Sequence, residues 1–161
     1  MRYSPLLHIV LHQPEIPPNT GNIGRSCVAI GAKLWLVKPL GFEISEKQVR
    51  RAGLDYWPRL EWEAVEDWIE LTTKLAEPLA HGRGWFFTKT ASHNYTDVAY
   101  QKGDILVFGS ESAGLPAEIL AQYQSHAVRV PMREQVRSLN LSAAAAVAMY
   151  EAVRQIGADI R

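Results

Sequence analysis

Five short apolar runs, separated by segments of helical pattern, constrain the fold of this chain more than any other feature of its sequence. The runs are rich in β-branched and aromatic residues, and Gly, Pro or polar residues bound them, as is typical of buried strands. They cover residues 6–11, 34–37, 85–88, 105–108 and 127–130. Because strands that alternate with helices form parallel sheets covered on both faces, the pattern predicts an α/β fold with a mostly parallel sheet flanked by helices.

Helices are expected between and after these runs, at residues 20–30, 45–51, 62–75, 116–123 and 142–156. The first is expected to be capped by Asn19 or Thr20 and to stop at Gly31. The segment 62–75 carries a set of mainly apolar side chains at helical spacing, namely Val65, Trp68, Ile69, Thr72 and Leu75. The alanine-rich last helix is expected to end at Gly157.

The composition is that of one globular domain spanning residues 1–161. Hydrophobic residues make up 47% of the chain and charged residues 21%, which excludes a disordered protein. Acidic and basic side chains balance at 17 each, so an RNA-binding surface has to be a local patch. One candidate is the run 47–59, where four basic side chains are opposed only by Asp55. An ordinary solvated helix is the alternative explanation of these charges.

Several features predict a cytoplasmic protein without a metal centre. Cys27 is the only cysteine, which excludes internal disulfides and cysteine-based metal sites, and the five histidines show no metal-ligand spacing. No apolar run approaches the ~20 residues that span a bilayer. The first residues lack the pattern of a secretory signal. We therefore expect no metal and no membrane contact.

Three polar segments follow expected strands at their carboxyl ends, where sheets of this class bind ligands. The first is EIPPNTGNIGR at 15–25, the second is GSESAGL at 109–115, and the third is VPMREQVRSLNL at 130–141. Because parallel strands end at the same edge of a sheet, the three segments are expected to lie together and to form the functional site.

Each segment holds polar side chains suited to a binding site. Arg25 lies on an early turn of the first helix, where a guanidinium can bind phosphate through two hydrogen bonds. Glu111 lies between two glycines that let the backbone approach a ligand. Ser138 and Asn140 flank Leu139 ahead of the last helix. The structural alternatives are a solvated arginine, a helix-capping glutamate, and a serine or asparagine that only caps the last helix.

The order and spacing of these motifs resemble the SPOUT (α/β-knot) family of RNA 2′-O-ribose methyltransferases. The matching features are N-x-x-N-I-x-R at 19–25, F-G-x-E-x-x-G-L at 108–115, and V-P-M followed by S-L-N-L-S and an alanine-rich helix. The segments EIPPNTGNI, PLGF, VRRAGLDYW, RSLNLS and YEAVRQ resemble the branch that methylates the wobble cytidine or uridine of tRNA. The resemblance covers essentially the whole chain.

This resemblance implies a fold, a cofactor and two partners. The fold is a parallel sheet of about six strands whose C-terminal segment forms a deep trefoil knot, although knots are nearly absent from proteins in general. The partners are the anticodon stem-loop of tRNA and a second copy of the chain, packed closely through the small residues 143–146. The cofactor is S-adenosylmethionine (AdoMet), held largely by backbone groups at Phe87, Thr88, Gly109, Glu111, Val130, Met132, Ser138 and Leu139.

Two positions depart from the family pattern. Ala143 stands where many relatives have asparagine, so any hydrogen bond of that amide is missing or supplied elsewhere. Ser110 stands where close relatives often have proline, which we expect to loosen the loop without changing the chemistry.

The family reaction is attack by a ribose 2′-oxygen on the methyl group of the cofactor, so the protein supplies alignment and a destination for the hydroxyl proton. Arg25 matches the family's essential arginine, often described as a base. Because a guanidinium stays protonated at neutral pH, we favour a clamp on a substrate phosphate. Asn19, Glu111, Ser138 and Asn140 are expected to shape the same pocket.

RNA contacts are expected from Lys47, Arg50, Arg51 and Arg137, with Arg133 as a further candidate. Two other functions remain open at this point. One is a SPOUT methyltransferase for another tRNA position or for ribosomal RNA, and the other is a non-catalytic RNA-binding protein.

Overall fold

The computed structural model describes residues 4–45 and 55–161, and within them a parallel sheet forms the centre of the molecule. Its strands are β1 (His8–His12), β2 (Lys33–Val37), β3 (Trp62–Val65), β4 (Gly84–Phe87), β5 (His93–Asn94), β6 (Ile105–Phe108) and β7 (Ala127–Arg129). They are hydrogen-bonded in the order β3-β2-β1-β6-β4-β7-β5, and every pairing is parallel. The α/β fold with a parallel sheet is thus confirmed.

The helices are α1 (Pro17–Ile30), α2 (Trp68–Lys74), α3 (Ala76–Ala80), α4 (Ala117–Gln122) and α5 (Leu141–Ile156). Short 3-10 turns lie at Trp57–Arg59 and Gln124–His126. Within residues 4–45 and 55–161, no helix is long and apolar enough to cross a membrane.

Both faces of the sheet are buried, and each face meets different helices. Ile9 and Leu11 of β1 belong to the core that includes α1 and α5, whereas Val10 belongs to the core that includes α2 and α4. This two-sided burial explains why the central strands are nearly continuous apolar runs in the sequence.

The expected helix at 62–75 is wrong in its first half. Residues 62–65 form β3, which pairs in parallel with β2, and α2 begins only at Trp68. The Asp67 side chain accepts a hydrogen bond from the Glu70 N–H at 2.8 Å, and this cap fixes the later start. Of the expected apolar face, Val65 and Leu75 are buried, but Ile69 is wrong because it is 74% exposed, and Leu71 is buried in its place. The sheet has seven strands, whereas about six were expected from the resemblance. The additional strand is the two-residue edge strand β5.

The ends of the two long helices were predicted with mixed success. Helix α1 does stop at Gly31, which has a φ of 75°, but it starts at Pro17 with Ile16 as its N-cap, so the expected cap at Asn19 or Thr20 is wrong. Helix α5 starts one residue early and stops at Gly157, as expected. The expected helix at 45–51 and the side chains of Lys47, Arg50 and Arg51 lie outside the described residues, except Ser45 itself.

Candidate active site

The three motif segments leave the sheet at one edge. Strands β1, β6, β4 and β7 are successive neighbours and run in the same direction. The residues that follow them are therefore brought together from four distant parts of the sequence. These are the segments that begin at residues 13, 88, 109 and 130.

Glu111 is the centre of a hydrogen-bond network that joins the first two motifs. Its carboxylate accepts from the backbone N–H of Glu15 at 2.8 Å, from the N–H of Ile16 at 3.1 Å and from Asn19 Nδ2 at 3.2 Å. The N–H groups at a helix start lack partners within the helix, and a negative charge there also interacts favourably with the helix dipole. Glu111 therefore caps α1 from another part of the chain, which replaces the cap expected within the helix.

Asn140 connects the third motif to the same network. Its Oδ1 accepts from the N–H groups of Ser142 at 2.9 Å and Ala143 at 3.3 Å, so it caps α5. Its Nδ2 donates to Asn19 Oδ1 at 3.0 Å. The Asn19 amide thus lies between Glu111 and Asn140. Asn140 therefore has both roles: it caps α5, which was the structural alternative, and it connects the third motif to the first.

The loop after β6 folds back tightly on Gly109. A Cβ added to Gly109 would lie 2.0 Å from the carbonyl carbon of Gly114 and 2.2 Å from the nitrogen of Leu115, so only glycine fits. The loop is closed by a hydrogen bond from the Gly114 N–H to the Ser110 carbonyl at 3.0 Å. Ser110 Oγ also accepts from the Ala113 N–H at 3.2 Å, so the serine contributes a bond that a proline side chain cannot make.

The residues implied for AdoMet binding border this edge. Phe87 is buried and stacks on Phe108 with ring centroids 4.6 Å apart, and the Thr88 N–H is bonded to Val128. In contrast, the backbone groups of Val130, Met132, Ser138 and Leu139, like those of Glu134 and Gln135 in the same loop, have no hydrogen-bond partner among residues 4–45 and 55–161. Such groups suit a ligand that is held mainly through backbone hydrogen bonds, so the residues present fit AdoMet.

Arg25 stands apart from this network within one subunit. It is exposed on α1, about 9 Å further along the helix axis than Asn19. Its guanidinium lies over the ring of Tyr56, 5.1 Å from the centroid. No hydrogen bond or ion pair between described residues joins Arg25 to Glu111, Ser138 or Asn140. Ser138 is likewise exposed.

His12 lies at the same sheet edge but does not join the network. His12 ends β1 but faces the opposite side, where its ring meets Trp68 edge-on at 6.0 Å. Burial lowers the pKa of His12, and Glu118 offsets part of that effect. Among the described ranges, no three His, Cys, Asp or Glu side chains are grouped so as to hold a metal ion.

Three residues of the site region were not predicted from the sequence. Glu15 accepts a short hydrogen bond from Ser112 Oγ, which gives the first two motifs a second connection. Both residues lie inside motif segments, but their pairing spans 97 positions and has no local signal. Tyr56 was visible only as the neighbour of a tryptophan in the basic run.

Replacing Glu111 with glutamine is expected to lower the free energy of unfolding by about 2 kcal/mol, because hydrogen bonds to a charged acceptor are lost and an amide N–H₂ faces other donors. Urea denaturation measures the change. Glu61→Gln is the matched control, since Glu61 is exposed and its side chain makes no hydrogen bond within residues 4–45 and 55–161. Equal stability of the two variants would contradict the capping role.

Comparison with known proteins identifies the family. The model of the SpoU rRNA Methylase family matches residues 6–150. The chain belongs to the SpoU methylase family. One SpoU relative is the tRNA (cytidine(34)-2′-O)-methyltransferase of Methylovorus glucosotrophus, which is 49% identical over 93% of this chain and 96% of the relative. The family predicted from the sequence motifs is therefore confirmed.

Solved structures of similar proteins share the fold. One, described as "Structural insights into the 2-OH methylation of C/U34 on tRNA", has a TM-score of 0.81 and 43% identity, and the match covers 92% of this chain and 95% of the other. The SpoU methyltransferase AviRb of Streptomyces viridochromogenes, solved in complex with AdoMet, has a TM-score of 0.81 and 25% identity over 94% of this chain. The match covers 58% of AviRb.

Proposed function

We propose that this chain is an AdoMet-dependent tRNA 2′-O-methyltransferase that modifies the ribose of the wobble nucleotide in the anticodon stem-loop. The observation that carries this proposal is the 49% identity, over nearly the full length of both chains, to a tRNA (cytidine(34)-2′-O)-methyltransferase. The convergence of three motif segments at one sheet edge supports it, because such a site can hold a cofactor and a ribose together. We expect the enzyme to act on cytoplasmic tRNA.

The cofactor loops are proposed to hold AdoMet at the edge formed by β6, β4 and β7. The free backbone groups of Val130, Met132, Ser138 and Leu139 would bind it, and Phe87, Thr88 and Gly109 would form the wall on the other side. The carboxylate of Glu111 already accepts three hydrogen bonds from α1 and the residues before it. The proposed role of the Glu111 side chain is therefore to fix the loop after β6. Its backbone would contact the cofactor.

Arg25 is proposed to hold the substrate rather than to remove its proton. Bound AdoMet supplies a methyl group that its sulfonium already activates. A guanidinium remains protonated at neutral pH, so Arg25 would bind a phosphate next to the target ribose and orient the 2′-hydroxyl. The proton would pass to phosphate or water. The hydrogen bond between Asn19 and Asn140 would hold the last loop against α1. The exposed Ser138 hydroxyl would face the substrate.

A homodimer is proposed because it would bring Arg25 of one subunit to the cofactor loops of the other. Four apolar side chains are exposed, namely Ile16 at 45%, Leu139 at 38%, and Val147 and Tyr150 of α5 at 43% and 50%. Exposed apolar side chains of this size are candidates for an interface. Of residues 143–146, which were expected at the interface, Ala145 is fully buried within its own subunit and cannot take part.

Mixing two strongly impaired variants tests this shared site. Arg25→Ala and Ser138→Ala subunits, unfolded together and refolded as a mixture, are expected to regain part of the methyl-transfer activity because a mixed dimer holds one intact site. A mixture that is no more active than each variant alone would contradict the shared arrangement.

We also propose the trefoil knot of the family for the segment that leads into α5, on the basis of the sequence resemblance.

The RNA surface is proposed to consist of Lys47, Arg50, Arg51 and Arg137. The last of these is exposed, and its carbonyl accepts a hydrogen bond from Lys89 at 3.4 Å. Replacing Arg137 with alanine is expected to weaken tRNA binding and to reduce the slope of log K against log salt concentration by roughly one, because one phosphate contact is lost. Filter binding at several salt concentrations measures this slope. An unchanged slope would remove Arg137 from the surface.

Nucleoside mass spectrometry tests the function as a whole. Bulk tRNA from a strain that lacks this protein is expected to lack a 2′-O-methyl nucleoside, which purified protein and AdoMet should restore. Restoration on ribosomal RNA or at another tRNA position would favour a different SpoU methyltransferase. Absence of any methyl transfer, with tRNA binding intact, would favour a non-catalytic RNA-binding protein.

A further inference from the structure

Among residues 4–45 and 55–161, the side chain that can define the orientation of Arg25 is that of Tyr56. Its guanidinium is 5.1 Å from the centroid of the Tyr56 ring. Arginine side chains have many rotamers, so an exposed arginine without a neighbour would spend little time in any one orientation. A cation over an aromatic face is attracted by the ring quadrupole. Tyr56 therefore restricts the orientation of the Arg25 side chain, which the proposed mechanism requires to be well defined.

Tyr56 is itself fixed relative to the helix that carries Arg25. It is 8% exposed, and its hydroxyl donates a short hydrogen bond to the carbonyl of Gly21. In an α-helix this carbonyl is also the acceptor for the Arg25 N–H, four residues later. The phenol thus holds the backbone one turn before Arg25 while its ring lies under the guanidinium.

Gly24 makes this close packing possible. A Cβ at Gly24 would lie 3.0 Å from Leu60 Cδ2 and 3.3 Å from Trp57 Cζ3, so these side chains would have to shift to make room for a larger residue. The electrostatics of the pair agree with the geometry. Burial raises the pKa of Tyr56, and the Arg25 guanidinium offsets part of this rise, so the phenol stays neutral and can donate at neutral pH.

We propose that Tyr56 is a positioning residue for Arg25, which presents the guanidinium to the substrate phosphate in one orientation. This inference rests on the proposed methyl-transfer function. It assigns to Tyr56, at the start of the 3-10 turn that ends the basic run, a role separate from RNA binding by Lys47, Arg50 and Arg51.

A set of variants tests the role through activity. Tyr56→Leu removes the ring and is expected to lower kcat about tenfold with little change in AdoMet affinity, because a displaced catalytic contact costs rate rather than cofactor binding. Tyr56→Phe keeps the ring and should retain most of kcat. Tyr123→Leu is the matched control, because it removes a tyrosine ring that stacks on Phe86 in the core on the opposite face of the sheet from α1. Its folded protein should keep kcat, and a loss as large as in Tyr56→Leu would overturn the proposal.

The same substitutions in an Arg25→Ala background show whether Tyr56 acts through Arg25. Under single-turnover conditions, Tyr56→Leu is expected to cause no further loss there, since the group that it positions is already absent. An equal loss in both backgrounds would overturn the proposal, because two independent residues have additive effects. Urea denaturation of each variant separates a loss of folding from a loss of rate.

An NMR measurement gives a test that needs no substrate. The ring should shift the δ-protons of Arg25 upfield in the wild type and in Tyr56→Phe, and the shift should disappear in Tyr56→Leu. An Arg25 signal that is the same in all three proteins would overturn the inference. Because this readout is independent of methyl transfer, failure of the proposed function and failure of this inference can be distinguished.

Discussion

Replacing Gly109 with alanine is expected to destabilise the protein by about 3 kcal/mol or more and to abolish AdoMet binding, because the new methyl group would overlap backbone atoms. The nearest of these is the Gly114 carbonyl carbon, 2.0 Å from an added Cβ. Backbone cannot move aside as a flexible side chain can, so the loop would open and displace Glu111. Urea denaturation and calorimetry with AdoMet measure the two effects.

Gly114→Ala is the matched control in the same loop. Gly114 has a φ of 68°, but an added Cβ would have no atom within 4 Å. The cost should therefore be only that of the left-handed conformation, about 1 kcal/mol. Similar stabilities for the two variants would show that close packing at Gly109 does not determine the loop.

Replacing Arg25 with lysine is expected to lower kcat by roughly 100-fold or more, because the compact ammonium cannot form the two parallel hydrogen bonds by which a guanidinium orients a phosphate. AdoMet affinity should be unchanged, since the proposed partner of Arg25 is the substrate phosphate and not the cofactor. Steady-state methylation of purified tRNA measures kcat and KM.

Arg59→Lys serves as the comparison for this substitution. Arg59 is also exposed and lies in the 3-10 turn next to Tyr56, so the exchange changes the same chemistry at a nearby position. It should leave kcat within about twofold of the wild type. Nearly full turnover by Arg25→Lys would show that the proposed clamp is wrong.

The sequence predicts the interior of this fold better than its connections. All five apolar runs form strands. A strand buried on both faces needs continuous apolar residues, and such a run is visible in the local sequence. Strand β3 is different, since its side chains also fit a helix, and only pairing with β2 selects the strand. That choice depends on residues far along the chain, which local spacing does not report.

The site shows the same division between local and distant information. Motif order predicts that the segments holding Asn19, Glu111 and Asn140 meet, and hydrogen bonds do join these three side chains. The start of α1 is missed because Glu111, more than 90 positions away, accepts hydrogen bonds from the N–H groups of Glu15 and Ile16 just before the helix. Tyr56 is missed for the same reason, since its partner Gly21 is 35 positions away.

The central claim is that this chain transfers a methyl group from AdoMet to the 2′-oxygen of the wobble nucleotide. The most direct measurement uses two synthetic anticodon stem-loops that differ only in a hydroxyl or a hydrogen at that 2′ position, each incubated with the protein and AdoMet and analysed by mass spectrometry. We expect one added methyl group on the 2′-hydroxyl RNA and none on the 2′-deoxy RNA. Methylation of both RNAs, or of neither, would contradict the account.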